Sequence, residues 1–314
     1  MSDPAVAPEV SVVIPVFNGA DTIGEQLDAL VRQHDAPAFE VLVCDNGSTD
    51  GTRAVVKGYT ERLPNLRLLH ASTRRGASHA RNVGILAARG RVVAFCDADD
   101  VVADDWVAAM AKFVKPGGIV VGWDDFGPLN PPALAGGVEK ELGIIAGYLP
   151  SIDSANVALE RNAALAIGGF DESYRYGVED IDFGWRAQQG GLTLTRDPAV
   201  VRVRHRAGGM ATFRQHRNWG RGNIMLRVRH RAHLGDVMSF RYSVLALART
   251  WSRLPIDLWR SSESDKIRRA RSAGMTLGEF EGHFLFRWLG RMPAPLLLDG
   301  ADASSRRPER SRST

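Results

Sequence analysis

The chain has 314 residues, of which 44% are hydrophobic, so it can bury a substantial core and is not an intrinsically disordered protein. No apolar run reaches transmembrane length, and residues 1–9 have neither the basic nor the apolar region of a signal peptide. We therefore expect a cytoplasmic protein, or one that is peripheral at the inner face of the cell membrane. Cys44 and Cys96 each end an apolar run without Cys-x-x-Cys spacing, which indicates reduced core residues.

Charge is distributed unevenly along the chain. Residues 1–200 contain 17 Lys/Arg and 27 Asp/Glu, a net charge of −10. Residues 201–314 contain 23 Lys/Arg and 9 Asp/Glu, a net charge of +14. This split predicts that the two parts have different roles.

The first hundred residues alternate between strand and helix patterns. The predicted elements are a strand at 10–17, a helix at 22–33 capped by Asp21, a strand at 40–44, a helix at 52–63, a strand at 66–70, a helix at 78–88 and a strand that runs into Asp97. This alternation predicts a doubly wound, largely parallel α/β sheet whose loops gather at the carboxyl ends of the strands.

The pattern is less regular after residue 115. The predicted elements are a strand at 119–122, a loop rich in Pro and Gly at 127–137, a strand at 154–159, helices at 161–167 and 179–189, and alternating strands at 192–195 and 200–205. From residue 212 the patterns are helical, and a polar Arg/Ser tail begins near residue 303.

The apolar run 92–96 ends on the carboxylates Asp97, Asp99 and Asp100. Asp97 and Asp99, at the end of a buried strand, are suitable oxygen ligands for a divalent cation that carries a phosphate. The alternative is that Asp99 or Asp100 caps a helix near 101–110, since Asp is a common helix cap. The neighbouring motifs favour the metal site.

Six sequence blocks resemble one known family when they are taken in order. They are Ser-Val-Val-Ile-Pro-Val-Phe-Asn (11–18), Cys-Asp-Asn-Gly-Ser-Thr-Asp-Gly-Thr (44–52), Arg-Gly-Ala-Ser-His-Ala-Arg-Asn-Val-Gly (75–84), Phe-Cys-Asp-Ala-Asp-Asp (95–100), Gly-Gly-Phe-Asp-Glu (168–172) and Gly-Val-Glu-Asp-Ile-Asp-Phe-Gly-Trp-Arg (177–186). The resemblance is to the nucleotide-sugar-dependent family 2 glycosyltransferases, and the blocks cover roughly residues 10–206.

This resemblance implies a fold and a division of the chain. The fold is GT-A, a Rossmann-like, doubly wound mixed sheet, with a helical extension at the carboxyl end. The implied boundaries are 1–212 for the catalytic domain, 213–302 for the basic helical extension and 303–314 for a disordered tail.

The resemblance also implies how the donor is bound. A Mg²⁺ or Mn²⁺ ion neutralises the pyrophosphate leaving group, with Asp99 as the likelier direct ligand and Asp97 nearer the ribose. The other implied donor contacts are Asp45 to the nucleobase, Pro15 and Phe17 lining the base pocket, and Arg75 and Arg81 near the phosphates. The alternatives are an Asx-turn for Asp45, strand-end packing for Pro15 and Phe17, and solvated surface charges for the two arginines.

An inverting transfer needs a base that takes the proton of the acceptor hydroxyl. By resemblance this base is Asp180 of the Glu179-Asp180 pair, whereas Asp182 is expected to pair with Arg186 four residues later. His205 corresponds to a histidine that assists metal or pyrophosphate binding in some relatives. Its alternative is a polar surface residue among arginines.

One departure from the family decides the subclass. Processive relatives carry Gln-x-x-Arg-Trp after the base, but this chain has Gln-His-Arg-Asn-Trp at 215–219 and no apolar span. We therefore predict a non-processive enzyme that adds one sugar, with residues 217–223 forming a lid on the acceptor side.

The predicted activity is transfer of one sugar from a nucleotide-diphosphate sugar to an unidentified acceptor, which can be a glycan, a lipid-linked compound or a small molecule. Cell-envelope polysaccharide, glycolipid and natural-product glycosylation all fit. The alternatives are a nucleotidyltransferase, although the loop 18–21 lacks its Gly-rich basic character, and an inactive scaffold that binds a membrane or partner.

The basic carboxyl-terminal part interleaves arginines with apolar residues. This pattern does not indicate nucleic-acid binding. It predicts either an amphipathic segment at about 238–260 on an anionic membrane, or an ordinary helix packed on the catalytic domain.

Overall fold

The computed structural model describes residues 7–132, 134–205, 208–234, 239–259 and 262–299. The predicted polar tail and both ends of the predicted amphipathic segment lie outside these residues. The strands are Val10–Val16 (β1), Phe39–Asp45 (β2), Leu66–His70 (β3), Val92–Phe95 (β4), Val101–Val102 (β5), Gly118–Asp125 (β6), Val138–Glu139 (β7), Val157–Glu160 (β8) and Thr193–Arg202 (β9).

The helices complete an α/β architecture. They are Ile23–Val31 (α1), Thr52–Lys57 (α2), Ala77–Ala87 (α3), Trp106–Phe113 (α4), Arg161–Ala166 (α5), Glu179–Gln189 (α6), Gly209–Arg229 (α7), Arg231–Leu234 (α8), Phe240–Trp259 (α9) and Glu263–Gly282 (α10). A π-helical turn, His283–Trp288, continues α10.

The strands form one sheet in the order β3-β2-β1-β4-β8-β6-β9-β5, and β7 pairs with β6. Strands β3, β2, β1 and β4 are parallel, as the alternating pattern predicts. Strand β8 runs antiparallel to both β4 and β6, so the sheet is mixed. The carboxyl ends of β1, β2 and β4 lie at one edge.

The apolar runs form strands because both of their faces are covered. In β1, Val12 and Ile14 pack into a core that contains residues of α1 and α4. Val13 faces the other core, which contains residues of α3 and α6. This burial on both faces is what makes the strand sequence continuously hydrophobic instead of alternating. Both cysteines are free and buried, as predicted.

Two predicted elements are wrong next to the site. Val101–Val102 is not helical but pairs antiparallel with β9, and helix α4 begins only at Trp106 after Asp105. Neither Asp99 nor Asp100 therefore caps a helix. The two strands predicted at 192–195 and 200–205 form the single strand β9, which pairs with β6 across a register shift.

Smaller corrections concern helix lengths. Helix α1 has Thr22 as its N-cap without a side-chain capping bond, so Asp21 is not the cap. Helix α2 ends at Lys57, because Gly58 follows and its N–H turns back to the carbonyls of residues 54–56. Strand β8 begins at Val157, three residues later than predicted.

The carboxyl-terminal helices pack on α6 and on each other. Ile224 and Met225 of α7 share a buried cluster with Trp185 of α6. Helices α7 and α10 approach so closely that a Cβ on Gly220 would lie 2.4 Å from the Met275 carbonyl, and one on Gly278 would lie 2.0 Å from the Arg217 carbonyl. Among the described residues, no helix combines the length and hydropathy needed to cross a membrane.

Candidate active site

A cavity of about 570 Å³ opens at the carboxyl end of β4. Its lining residues come from the loop after β4, the loop before β8, the start of α6, the end of β9, and helices α7 and α10. The charged and polar ones include Arg81, Asp97, Asp99, Asp100, Asp153, Glu179, Asp180, Arg204, His205, Gln215, His216, Asn218 and Arg271.

Three carboxylates form the acidic part of the cavity. Asp97, Asp99 and Asp100 each offer an oxygen, and these oxygens all lie within 4.8 Å of one another. Asp100 is buried and accepts a hydrogen bond from the backbone N–H of Arg204 at 2.8 Å. Burial and then the charges of Asp97 and Asp99 raise the pKa of Asp100 to about 9.

This donor set fits a divalent cation. Like charges at such short separation destabilise one another, and a cation between them removes that repulsion. Carboxylate oxygens are also the ligands that Mg²⁺ and Mn²⁺ prefer in proteins. Asp100 was predicted only as a helix cap, because nothing in the sequence showed that the chain turns back into β5 and brings it beside Asp97 and Asp99.

Arg81 joins the acidic cluster to helix α6. Its guanidinium is buried and donates to Asp97 at 2.8 Å and to Glu179 at 3.1 Å. Burial alone would lower the pKa of Arg81, but the charges of Asp97 and Glu179 raise it above its usual value. The residue predicted near the donor phosphates therefore lines the cavity as a cation bound by two carboxylates.

Asp180, the predicted base, lies in the first turn of α6 and lines the cavity. The chain reaches this helix through Gly177 and Val178, both with left-handed backbone (φ 83° and 63°). A β-branched residue rarely adopts that conformation, and such strain concentrates at functional sites. Burial, then the charges of Glu179 and Asp153, raise the pKa of Asp180 well above its usual value.

Asp153 is a cavity residue that the sequence patterns missed. It precedes β8, and its Oδ1 accepts the N–H of Ala155 at 2.9 Å. Burial and the charge of Asp97 raise the pKa of Asp153, although the bond from Ala155 opposes this rise. A lone acid before a strand carries no motif, so only the folded chain brings it beside Asp180.

His205 lies just beyond β9 and also lines the cavity. Its ring stacks on Phe126 at 5.1 Å, and its backbone N–H donates to Asn130 at 2.7 Å. Its neighbour Arg204 donates from Nε to the Asp99 carbonyl at 3.0 Å. Burial, then the charge of Arg271, lowers the pKa of His205. The histidine therefore lines the same cavity as the acidic cluster, but its ring nitrogens are not among the candidate ligand atoms that lie within 4.8 Å of one another.

The remaining predicted donor contacts do not line this cavity. Asp45 ends β2 opposite Val16 of β1 and is buried, accepting from the backbone N–H of Ser48 at 2.9 Å and pairing with Arg53. Burial acts to raise the pKa of Asp45, but the bonds from Ser48 and Arg53 lower it. Its Asx-type turn is thus present in the structure.

Pro15, Phe17 and Arg75 also lie outside the cavity lining. Pro15 is half-buried within β1, whereas Phe17 is 54% exposed just after it. Arg75 is exposed in the loop before α3. Phe17 nevertheless shares the sheet edge with Asp45, so both remain predicted contacts of the nucleobase at that edge.

The predicted acceptor-side lid is corrected by the structure. Residues 217–223 are two turns of the continuous helix α7. Trp219 lines the cavity, while Arg217 turns away and forms an ion pair with Glu281 of α10. The arginine that departs by one place from the processive motif thus holds two helices together.

Comparisons with known proteins agree with this geometry. The family described as Glycosyl transferase family 2 matches residues 11–128. A validoxylamine A glucosyltransferase of Streptomyces hygroscopicus subsp. limoneus is 31% identical over 227 residues, covering 60% of this chain and 49% of its own. Across eight of the curated relatives that it matches, the chain spans 27% to 65% of their lengths.

Two solved structures share the fold. The mannosyltransferase PcManGT of Pyrobaculum calidifontis, in complex with GDP-Man and Mn²⁺, has a TM-score of 0.59 at 21% identity and covers 89% of this chain and 88% of its own. TarS residues 1–349 of S. aureus, in complex with UDP-GlcNAc, has a TM-score of 0.51 at 18% identity. The match covers 89% of this chain and 92% of the TarS chain. The fold is therefore GT-A, and residues 11–128 of the chain are similar to glycosyl transferase family 2.

Proposed function

We propose that this protein is a metal-dependent, inverting and non-processive glycosyltransferase that moves one sugar from a nucleotide-diphosphate sugar to an acceptor hydroxyl. The observation that carries the proposal is one cavity lined by both the Asp97–Asp99–Asp100 cluster and Asp180. Complexes of two proteins of the same fold with GDP-Man and UDP-GlcNAc support a nucleotide-sugar donor.

Different cavity residues have different roles in the proposed reaction. Asp97, Asp99 and Asp100 would hold Mg²⁺ or Mn²⁺, which supplies positive charge for the diphosphate leaving group. Arg81 keeps Asp97 oriented toward the cavity through its ion pair and ties it to α6. His205 is the further candidate ligand, because it lines the same cavity just beyond β9.

Asp180 would take the proton of the acceptor hydroxyl while that oxygen attacks the anomeric carbon. Its raised pKa makes the ionised form a stronger base than an ordinary carboxylate. Attack from the face away from the leaving group inverts the configuration, and this single displacement needs only one catalytic carboxylate. The bond to the new oxygen forms as the bond to the diphosphate oxygen breaks.

The test is a donor panel with the full chain. UDP-, GDP- and dTDP-sugars are incubated with Mn²⁺ or with EDTA, and release of the nucleoside diphosphate is measured. We expect release with one nucleotide class, abolished by EDTA. Release of pyrophosphate would instead indicate a nucleotidyltransferase, and no release from any donor would favour an inactive scaffold.

A pair of variants connects the assay to the acidic cluster. Asp99→Ala is expected to abolish metal-dependent donor binding while leaving the fold intact. Asp104→Ala is the matched control, because Asp104 is a half-exposed carboxylate nearby that pairs with Arg32 outside the cavity. Donor affinity that stays unchanged in Asp99→Ala would contradict the assignment.

We also propose that helix α9 contacts an anionic membrane and makes the enzyme peripheral at the inner face of the cell membrane. Tyr242 and Leu245 of α9 are 62% and 68% exposed, and Arg241 and Arg249 are exposed on the same helix. Apolar side chains among arginines, in the part of the chain with net charge +14, complement an anionic lipid surface.

Co-sedimentation with vesicles tests this contact. The full chain is expected to pellet with anionic vesicles and not with neutral ones, and less so as salt increases, because the screening length falls from about 10 Å at 0.1 M to about 3 Å at 1 M. Leu245→Glu should reduce pelleting, and Ile144→Glu, at an exposed apolar residue elsewhere, should not. Equal, negligible pelleting with both vesicle types would mean that α9 only packs on the protein.

A further inference from the structure

Arg271 of α10 lines the cavity and forms no ion pair with any described residue. Its side chain is half-buried, and its buried Nε has no hydrogen-bond partner among the described residues. The Nε of Arg81 is also without a partner, but the terminal nitrogens of Arg81 are bound by Asp97 and Glu179. Arg204 likewise pairs with Glu25.

An unpaired guanidinium in such a place indicates a missing acceptor. Arginine stays charged at all accessible pH values, so it cannot avoid the cost of burial by losing its proton. A buried donor that makes no hydrogen bond is destabilising by itself. Its planar fork is suited to two oxygens of one phosphate or carboxylate group.

His216 of α7 stands beside Arg271. Its Nδ1 donates to the Thr212 carbonyl at 2.9 Å, so in the neutral ring Nε2 is a hydrogen-bond acceptor. Burial lowers the pKa of His216, and the charges of Arg271 and His205 lower it further, against the bond to Thr212. Helices α7 and α10 are fixed together here, because a Cβ on Gly274 would lie 3.2 Å from the Cβ of His216.

The neighbours of His216 place this pair near the base. The His216 ring lies 4.7 Å from the ring of Trp219, one turn along α7. Trp219 packs on Gly177, whose ideal Cβ would lie 2.7 Å from the indole. Gly177 leads directly into α6 and Asp180. The pair is therefore linked through Trp219 to the residue that would receive the acceptor proton.

We infer that the Arg271 guanidinium forms a subsite for an anionic group, a phosphate or carboxylate, carried by the acceptor, and that the neutral ring of His216 borders this subsite. This inference rests on the proposed glycosyl transfer and adds the chemical class of its acceptor. The donor also carries phosphates, so the experiment must separate the two sources of phosphate oxygen.

The test measures binding of inorganic phosphate by calorimetry to the full chain, free and saturated with the Mg²⁺ complex of the nucleoside diphosphate that binds in the donor panel. Arg271→Gln removes the charge and Arg271→Lys keeps it. Arg268→Gln is the matched control, since Arg268 lies one turn earlier on α10, is exposed and pairs with Asp265. Thermal melting of each variant monitors folding.

We expect phosphate to bind the nucleotide-saturated protein, and Arg271→Gln to weaken that binding by about tenfold or more, the size of a hydrogen bond to a charged group. The phosphate affinity of Arg271→Lys should lie between those of Arg271→Gln and the unmodified chain. The phosphate affinity of Arg268→Gln should equal that of the unmodified chain. Nucleotide affinity should be the same in all four proteins.

Two results would overturn the inference. Phosphate affinity unaffected by Arg271→Gln would mean that no such subsite exists. Competition between phosphate and nucleotide, with nucleotide affinity lowered in Arg271→Gln, would assign the subsite to the donor diphosphate. Failure of the proposed function is distinct, because the unmodified chain would then bind no nucleoside diphosphate, while phosphate binding to the free protein still tests the subsite.

Discussion

Asp180 and Asp182 of helix α6 lie two residues apart in contrasting environments. Asp180 faces the cavity with Glu179 and Asp153 as charged neighbours, and burial and these charges raise its pKa. Asp182 is fully buried on the other side, where burial also acts to raise its pKa. There the hydrogen bond from His230 and the charge of Arg186 prevail, so the pKa of Asp182 is lowered.

The contrast shows that partners decide the ionisation of a buried carboxylate. Asp182 bonds to His230 at 2.9 Å, Arg186 at 2.7 Å and the Tyr174 hydroxyl at 3.2 Å, so its charge is fully compensated. Among the described residues, the Asp180 carboxylate accepts one hydrogen bond, from the backbone N–H of Ile181 at 2.8 Å. A compensated carboxylate stabilises a fold, and an uncompensated one is available for proton transfer.

The largest expected effect comes from the cavity side of α6. Asp180→Asn keeps the shape of the side chain but cannot accept a proton at neutral pH. We expect transfer to fall by about 10² to 10⁴, with donor binding nearly unchanged. Measuring transfer rate and donor affinity on the same preparation checks this. Transfer at the unmodified rate would exclude Asp180 as the base.

A substitution on the buried side of α6 should lower the unfolding free energy of the protein. Asp182→Asn leaves Arg186 and His230 without a negative partner in the core, and breaking a buried ion pair typically costs about 3–5 kcal/mol of unfolding free energy. Urea denaturation measures the loss. Asp265→Asn, which alters an exposed pair on α10, is the control and should change little. Equal stability of the two variants would remove the contrast between the two sides.

Arg81 connects the two sides of the cavity and should give an intermediate effect. Arg81→Gln leaves Asp97 and Glu179 unpaired, and losing hydrogen bonds to charged groups costs about 1.5–3 kcal/mol, toward the lower end because Asp97 is partly solvated. Mn²⁺ should restore part of this loss, since a cation at the acidic cluster replaces the missing charge. Thermal melting with and without Mn²⁺ measures both effects. A melting temperature that does not respond to Mn²⁺ would argue against a cation beside Asp97.

Sequence patterns predicted the features that depend on neighbouring residues, such as strand ends and an ion pair within one helix. They did not predict which distant segments meet in the cavity. The runs before Asp97 and Asp45 predicted strand ends, and the spacing of Asp182 and Arg186 predicted their ion pair, which is confirmed. Asp153 and Arg271 lie far from any motif and enter the cavity only through the packing of β8 and α10.

The wrong sequence-based predictions also depend on contacts between distant segments. Val101–Val102 has the composition of either a strand or a buried helix, and its pairing with β9, a hundred residues later, decides between them. The lid expected at 217–223 is part of the continuous helix α7, in agreement with the helical pattern after residue 212, and its close contact with α10 holds it in place. Tertiary contacts thus decided the strand at residues 101–102 and the fixed position of α7.

The smallest expected effect is the acid dependence of stability. In the unfolded chain Asp182 titrates near its ordinary value of 3.8, and in the folded chain its pKa lies lower. As the pH falls through this window, the unfolded state binds a proton that the folded state does not, so unfolding becomes more favourable. The stability from Asp182 is therefore complete above the unfolded pKa and is lost as the pH falls through the folded one.

The contribution of Asp180 to stability changes with pH in the opposite direction. Its folded pKa is raised, so between 3.8 and that value the folded state holds a proton that the unfolded state lacks, and stability falls as the pH rises. Each group can change the slope by at most about 1.4 kcal/mol per pH unit. In EDTA, we expect Asp182→Asn to flatten the acid limb of the curve of unfolding free energy against pH. Asp180→Asn should flatten the decline at higher pH and make the protein more stable at neutral pH. If both variants shift the curve in the same direction, the two carboxylates do not differ in compensation, and the distinction between a catalytic and a structural side of α6 fails.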